Sequence, residues 1–196
     1  MPPPPPIKSK STPQLVTSGG VYDTPYAYGP VPGDSSDLSS ANFYGYLYNW
    51  CAAAAGGTAS GGSNTCTATG GTMPQDATGD ICPANWRLPT GGDTGEFAWL
   101  NAKMNNPSAS SPMGYSADPA YYNNWQFTGA WRGVFAGNRY LSYWGEQYSS
   151  GYWWSSSRYP SGSEYAFYLS VNSSYVFPGS GTDRGGGFSV RCLVKY

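Results

Sequence analysis

From residue 130 to the C-terminus, aromatic and β-branched residues come in short runs cut by Gly, Pro, Ser and Asn every few positions. That punctuation leaves no space for long helices and dictates short strands joined by turns. The runs are Trp131 to Phe135, Tyr152 to Ser156, Tyr165 to Ser170, Ser173 to Phe177 and Phe188 to Val194. Asn172-Ser173-Ser174 reads as a tight turn between two of them, because an Asn side chain hydrogen-bonds its own backbone two residues on. Upstream, Phe43 to Trp50 is aromatic and β-prone, and Trp86-Arg87-Leu88-Pro89 reads as a short strand stopped by proline.

One helix stands out against this background. Phe97, Leu100 and Met104 recur at i, i+3 and i+7, and the pattern ends near Asn105. Asp93 with Glu96 three residues later predicts a capping box at its start. Residues 52–80 read as a small, polar loop, and 106–129 as irregular, with an aromatic knot from Tyr121 to Trp125. One helix packed on a sheet of short strands, with long loops, is an α+β domain.

Residues 1–40 read as a Pro/Tyr/Gly-rich tail or arm, and the dense core pattern starts near Phe43, so the domain spans about 41–196. Pro2 to Pro6 favour an extended polyproline helix, followed by Lys8 and Lys10. Trp50, Trp86, Trp99, Trp131, Trp153 and Trp154 each fall in a strand or helix and are expected in the core. Tyr148, Tyr159, Tyr165, Tyr175 and Phe177 stand between core and surface.

The cysteines are Cys51, Cys66, Cys82 and Cys192. An even count suits a disulfide framework in an oxidising compartment. Three pairings are possible, and Cys51–Cys66 with Cys82–Cys192 is favoured. Cys51–Cys66 would close a loop of small residues and Cys82–Cys192 would tie the middle of the domain to its end, worth about 3 and about 4–5 kcal/mol by loop entropy. Four reduced, buried thiols are the alternative, and intracellular proteins of some hyperthermophiles also carry disulfides. No run of apolar residues is long enough for a membrane helix, and Met1 leads straight into five prolines rather than an apolar signal core. An extracellular, cell-surface or virion location is the expectation, with membrane attachment only through an anchor or partner.

Charge and composition exclude several functions. Charged residues make up 11% of the chain and the net charge is −1, which gives no field to hold nucleic acid. With no His, the usual triads and His-based metal sites are excluded. No GxSxG, GxGxxG or P-loop occurs. Carboxylate pairs for glycoside hydrolysis would have to come from Asp93, Glu96, Asp118, Glu146, Glu164 and Asp183, which share no motif. Acidic residues are too sparse and unclustered for calcium. No catalytic residue, metal or cofactor is expected. Tyr, Trp, Ser, Gly and Asn are instead the residues of recognition loops: rigid amphipathic rings beside adaptable hydrogen-bonding groups.

Four motifs occur in order: Phe43-Tyr44-Gly45-Tyr46-Leu47-Tyr48-Asn49-Trp50, Ile81-Cys82-Pro83-Ala84-Asn85-Trp86-Arg87-Leu88-Pro89-Thr90, Gly151-Tyr152-Trp153-Trp154-Ser155-Ser156-Ser157 and Gly187-Phe188-Ser189-Val190-Arg191-Cys192. Together they resemble the Fibrobacter succinogenes major paralogous domain, a C-type-lectin-like fold. The Arg-Leu-Pro-Thr and Gly-Phe-Ser-Val-Arg pieces also resemble the formylglycine-generating-enzyme branch. The resemblance implies that Cys82 and Cys192 are close in space. The catalytic cysteine pair of that enzyme is missing, and so are the Glu-Pro-Asn and Trp-Asn-Asp motifs of calcium-dependent sugar binding.

The last third resembles the variable region of proteins diversified by diversity-generating retroelements, with the region falling at about 142–187. Adenine-directed mutagenesis of an Asn AAC codon can yield Ser, Gly, Thr, Asp, Tyr and Phe but never Lys, Glu, Gln, Met or Trp. None of those last residues occurs from Tyr165 to Gly187. The resemblance implies ligand contacts at Tyr175, Phe177, Ser180, Thr182, Asp183 and Gly185, then at Tyr159, Ser161, Tyr165, Tyr168 and Asn172, with Phe188 to Cys192 as fixed scaffold. The expected protein is a non-catalytic receptor or adhesin for a protein or glycan ligand. A carbohydrate-binding module and a structural cell-surface or virion protein are the alternatives.

Overall fold

The computed structural model describes residues 14–15, 26–29, 31, 44–54, 79–140, 143–160 and 165–196. They form a mixed α+β fold of mostly short antiparallel strands and few helices. The element order is β1 (Gln14–Leu15), β2 (Tyr26–Tyr28), β3 (Leu47–Tyr48), α1 (Trp50–Ala53), β4 (Trp86–Arg87), α2 (Glu96–Asn105), α3 (Pro119–Trp125), β5 (Asn138–Tyr140), β6 (Tyr143–Gly145), β7 (Ser150–Arg158), β8 (Tyr165–Asn172), β9 (Tyr175–Asp183) and β10 (Leu193–Val194).

The central sheet is β7-β8-β9, antiparallel throughout, with smaller pairings β1-β2-β3, β4-β10 and β5-β6 around it. Asn172 makes the β8–β9 turn, its Oδ1 accepting from the Ser174 and Tyr175 amides at 2.8 and 3.1 Å. β9 is longer than its sequence suggests. It runs on through Pro178-Gly179-Ser180-Gly181, and the register shifts between Tyr168 and Ser170 so that Pro178 and Gly179 oppose a single β8 residue. An edge position with a bulge is where a strand tolerates proline.

The helix expected near Asn105 is α2, but its start differs from the expected capping box. Gly95 is the N-cap and offers no side chain; a Cβ there would sit 2.3 Å from the Gly91 carbonyl oxygen. Thr90 replaces Asp93 as the cap: its hydroxyl accepts from the Glu96 amide at 2.8 Å, and the Glu96 carboxylate accepts from the Thr90 amide at 3.0 Å. Phe97 is fully buried, with Leu100 and Met104 half-buried beside it, and Asn101 fills the same face by accepting from the Trp125 indole at 3.3 Å. α3 lies in the stretch expected to be irregular. Its signal was the pair Asp118-Pro119, an acceptor for the Ala120 amide followed by proline at the first helical position.

Glu96 also forms a two-pronged ion pair with Arg87. The guanidinium hydrogen bonds hold its carboxyl below the usual carboxylate range, against a smaller opposing effect of burial. A lowered folded value means that the unfolded chain binds the extra proton first. The stabilisation is therefore present above the ordinary pKa and lost as pH falls through the lowered one. With about a third of each side chain exposed, it amounts to about 1 kcal/mol or less. Urea unfolding across an acidic pH series should show this component in the native chain and not in Glu96→Gln.

The core has three clusters. Trp50, Leu88, Tyr152, Trp154, Ala166 and Phe188 pack on one side of the sheet. Phe97, Trp125, Trp131, Phe135, Trp153, Leu169, Val171 and Val176 pack on the other, under α2 and α3. Tyr28, Val31, Tyr44, Leu47 and Ala136 form the third, so part of the expected tail is an arm built into the core. Trp86 and Trp99, expected in the core, are 41% and 37% exposed. Among the described residues of the expected Phe43–Trp50 strand, Leu47–Tyr48 alone pairs as a strand, and it stops there because the Asn49 side chain accepts from the Ala52 amide and starts α1. Trp131 to Phe135 is not a strand: Arg132 is left-handed (φ 57°), and a Cβ on Gly133 would meet the Trp125 carbonyl oxygen at 2.5 Å. β5 and β6 carried no distinct signal.

Cys82 and Cys192 are disulfide-bonded across 110 residues. Cys51 is also disulfide-bonded; Cys66 lies outside the described residues. No described helix is long and apolar enough to cross a membrane.

Candidate functional site

Opposed residues in an antiparallel ladder share a face, and neighbours along a strand alternate. Tyr168 opposes Ser180, Ala166 opposes Thr182, Ser170 opposes Phe177 and Asn172 opposes Tyr175. Tyr168, Asn172, Tyr175, Phe177, Ser180 and Thr182 therefore share one face of the β8–β9 hairpin, while Leu169, Val171 and Val176 point to the helices. On the β7 side this face is covered: Phe188 packs on Trp154, Tyr168 and Tyr152 at ring separations of 4.5, 4.7 and 5.2 Å. Toward β9 it opens, and Tyr175, Phe177, Ser180 and Thr182 are half-buried.

Tyr115 extends this face. The Ser116 and Val176 backbones exchange hydrogen bonds at 3.0 and 2.8 Å, laying the 114–117 segment along the edge of β9. The Tyr115 ring, 57% exposed, stacks with Tyr175 at 6.3 Å and meets Phe177 edge-on at 5.7 Å. An aromatic platform thus forms from residues 60 or more apart in the chain. No local pattern marks Tyr115.

The remaining sequence-predicted residues lie elsewhere. Tyr165 opposes Asp183 on the other face of the hairpin. There Tyr159 meets Phe167 at 4.8 Å and Tyr165 at 6.5 Å. Gly181 seats the Tyr159 ring, since a Cβ would come within 2.2 Å of it. Gly185 is buried: its amide donates to Asp183 Oδ1 at 2.6 Å and its carbonyl accepts from the Tyr28 hydroxyl at 2.8 Å. It is a turn residue, not a surface one. Ser161 lies outside the described residues.

Electrostatics set the platform's borders. Glu146, left-handed at φ 60°, accepts from the Ser150 hydroxyl at 2.7 Å and from the Tyr152 hydroxyl. Burial, with the Glu146 carboxylate, pushes the Tyr152 hydroxyl above the ordinary tyrosine range. Burial likewise raises Tyr168, against a hydrogen bond with Ser180 that lowers it. Burial pushes Tyr28 up to about 12. These hydroxyls stay neutral at ordinary pH and act as fixed dipoles. The carboxylates weighed for hydrolysis have structural roles: Glu96 with Arg87, Asp118 at the α3 cap, Glu146 with Tyr152, Asp183 with Gly185. Asp93 lies against Gly114 and Gly179, and Glu164 is outside the described residues.

A groove of about 810 Å³ lies apart from this platform, along the Cys82–Cys192 bridge and the C-terminal segment. Comparison of the chain with protein-family models, curated proteins and solved structures finds no match.

Proposed function

We propose that the open side of the β8–β9 hairpin, with Tyr115, is the contact surface of a non-catalytic, C-type-lectin-like receptor or adhesin diversified by a retroelement. The observation that carries the reading is the Tyr115–Tyr175–Phe177 platform, exposed on one side and seated on a tryptophan-packed sheet. Aromatic rings held on a rigid frame give large contact area with little entropy left to lose on binding. The disulfides support a working place outside the reducing cytoplasm. Positions such as Ser180 and Thr182 are half-exposed on that face, which suits variation between sister copies.

The test is the nucleotide sequence around the 3′ end of the gene. A near-identical template repeat beside a reverse transcriptase gene, differing only at adenines and including the codons of Tyr175, Phe177, Ser180 and Thr182, is the expected result. Absence of any such repeat in the intact locus overturns diversification. A companion measurement concerns tolerance. Tyr175→Ser and Phe177→Ser should each cost about 1 kcal/mol in denaturant unfolding, the value of an aromatic pair on a half-buried surface.

The stacked, exposed Tyr115 ring also favours a second reading, a carbohydrate-binding module, since such rings stack on sugar faces. Saturable binding on a glycan array, lost in Tyr175→Ala, selects it. An oligomer that buries this face would select a structural role instead.

A further inference from the structure

We propose that the groove beside the disulfide is the docking site for this chain's own proline tract, Pro2 to Pro6. The groove is lined by Tyr48, Ile81, Pro83, Trp86, Leu193 and Tyr196, among others. Trp86 and Val194 stand 41% and 40% exposed on its rim and Tyr196 is wholly exposed, which for a chain with buried tryptophans elsewhere is apolar surface in need of a partner. None of the platform residues lines it.

Aromatic grooves receive proline-rich segments because a polyproline helix is preformed, so docking orders little further, and because its rings fit between aromatic ridges. Five prolines span about 15 Å in that conformation. The tether fits too. β1 pairs parallel to β2, with Gln14 opposite Tyr26, and β2 pairs antiparallel to β3, with Ala27 opposite Tyr48. Gln14 is thus about 10 Å, two strand spacings, from the Tyr48 end of the groove. Eight residues from Pro6 to Gln14 reach about 26 Å.

Direction agrees as well. Moving from Leu15 to Gln14 is moving from Tyr48 toward Trp50, because β1 and β3 run opposite ways. The N-terminal end of β1 therefore lies on the α1 side of β3, where the Ile81 amide donates to the Ala53 carbonyl at 2.9 Å, and Ile81 and Pro83 open the groove. Seated there, the tract covers Trp86 and draws the N-terminal arm toward the disulfide, away from the platform.

The experiment uses the full chain with a photo-reactive diazirine side chain in place of Ile7, prepared in heavy- and light-isotope forms and mixed before illumination. Expected are cross-links to the Trp86 and Leu193–Tyr196 peptides, within chains of one isotope. Cross-links joining heavy to light chains assign the groove to a second copy and overturn the proposal, as do cross-links that avoid the groove. Replacing Pro2 to Pro6 with a Gly–Ser run should lower the groove cross-links about tenfold or more, since flexible residues lose far more freedom on docking. An unchanged yield overturns polyproline recognition. Trp86→Ala, checked for native circular dichroism, should lower the yield similarly, and an unaffected yield overturns the proposal as well.

Discussion

Replacing both Cys82 and Cys192 with Ser lowers unfolding free energy by about 5 kcal/mol, the chain-entropy value for a closed loop of 110 residues. The bridge anchors the C-terminal segment at a place with little other reinforcement. β10 and β4 are two-residue strands joined at Leu193–Arg87 and Val194–Trp86, with the Lys195 amide donating to the Asn85 carbonyl at 2.8 Å just beyond them. The segment just before the bridge is ladder-bonded to the rest: the Phe188 and Tyr48 backbones exchange hydrogen bonds at 3.0 and 2.8 Å, and Ser189 bonds Tyr152 and Trp154 at 3.0 and 3.1 Å. Without the covalent link those contacts must be closed from a longer, freer chain. Natural domains are stable by only about 5–15 kcal/mol, so the double variant should lie near the edge of folding. Urea unfolding of the native chain and of Cys82→Ser/Cys192→Ser measures the difference without disturbing Cys51. A loss under about 1 kcal/mol would show that the loop is already closed by its non-covalent contacts.

The pairing of Cys82 with Cys192 was legible because position along the chain and motif order both pointed to it. So were α2, whose apolar period is local, and the Asn172 turn, whose hydrogen bonds span two and three residues. What escaped the sequence was set by distant partners. β9 passes through Pro178-Gly179-Ser180-Gly181, residues with poor strand propensity, because β8 supplies the ladder from the other side. Tyr115 reaches the platform through a bridge between Ser116 and Val176, sixty residues apart. The aromatic run before Trp50 reads as strand until one buried Asn side chain turns it into a helix start. For the contact face, register decided the outcome: Tyr165 and Tyr168 are three residues apart yet point to opposite sides, a distinction that composition does not carry.

The tryptophans make the same point energetically, and they supply the second large effect. In sequence, Trp154 and Trp99 look equivalent: each has an apolar neighbour and falls in an expected strand or helix. In the structure Trp154 is wholly buried, its indole donates to the Tyr48 carbonyl at 2.6 Å, and its ring lies 4.5 Å from Phe188 and 6.1 Å from Tyr168. Trp99 is 37% exposed on α2. Trp154→Ala should cost about 4–5 kcal/mol, combining lost burial, the cavity left in a packed core and the lost indole hydrogen bond. Trp99→Ala should cost about 1 kcal/mol or less, because solvent already meets the ring. Trp154→Phe should recover roughly half of the loss by refilling volume without restoring the indole donor. Because Trp154 packs beneath Tyr168 on the face that carries Tyr175 and Phe177, its loss should also loosen the platform. Hydrogen exchange at Tyr168 to Val171 should therefore accelerate in Trp154→Ala while remaining native in Trp99→Ala. Equal costs for the two tryptophans would mean that the sheet is not the rigid support on which the contact face depends.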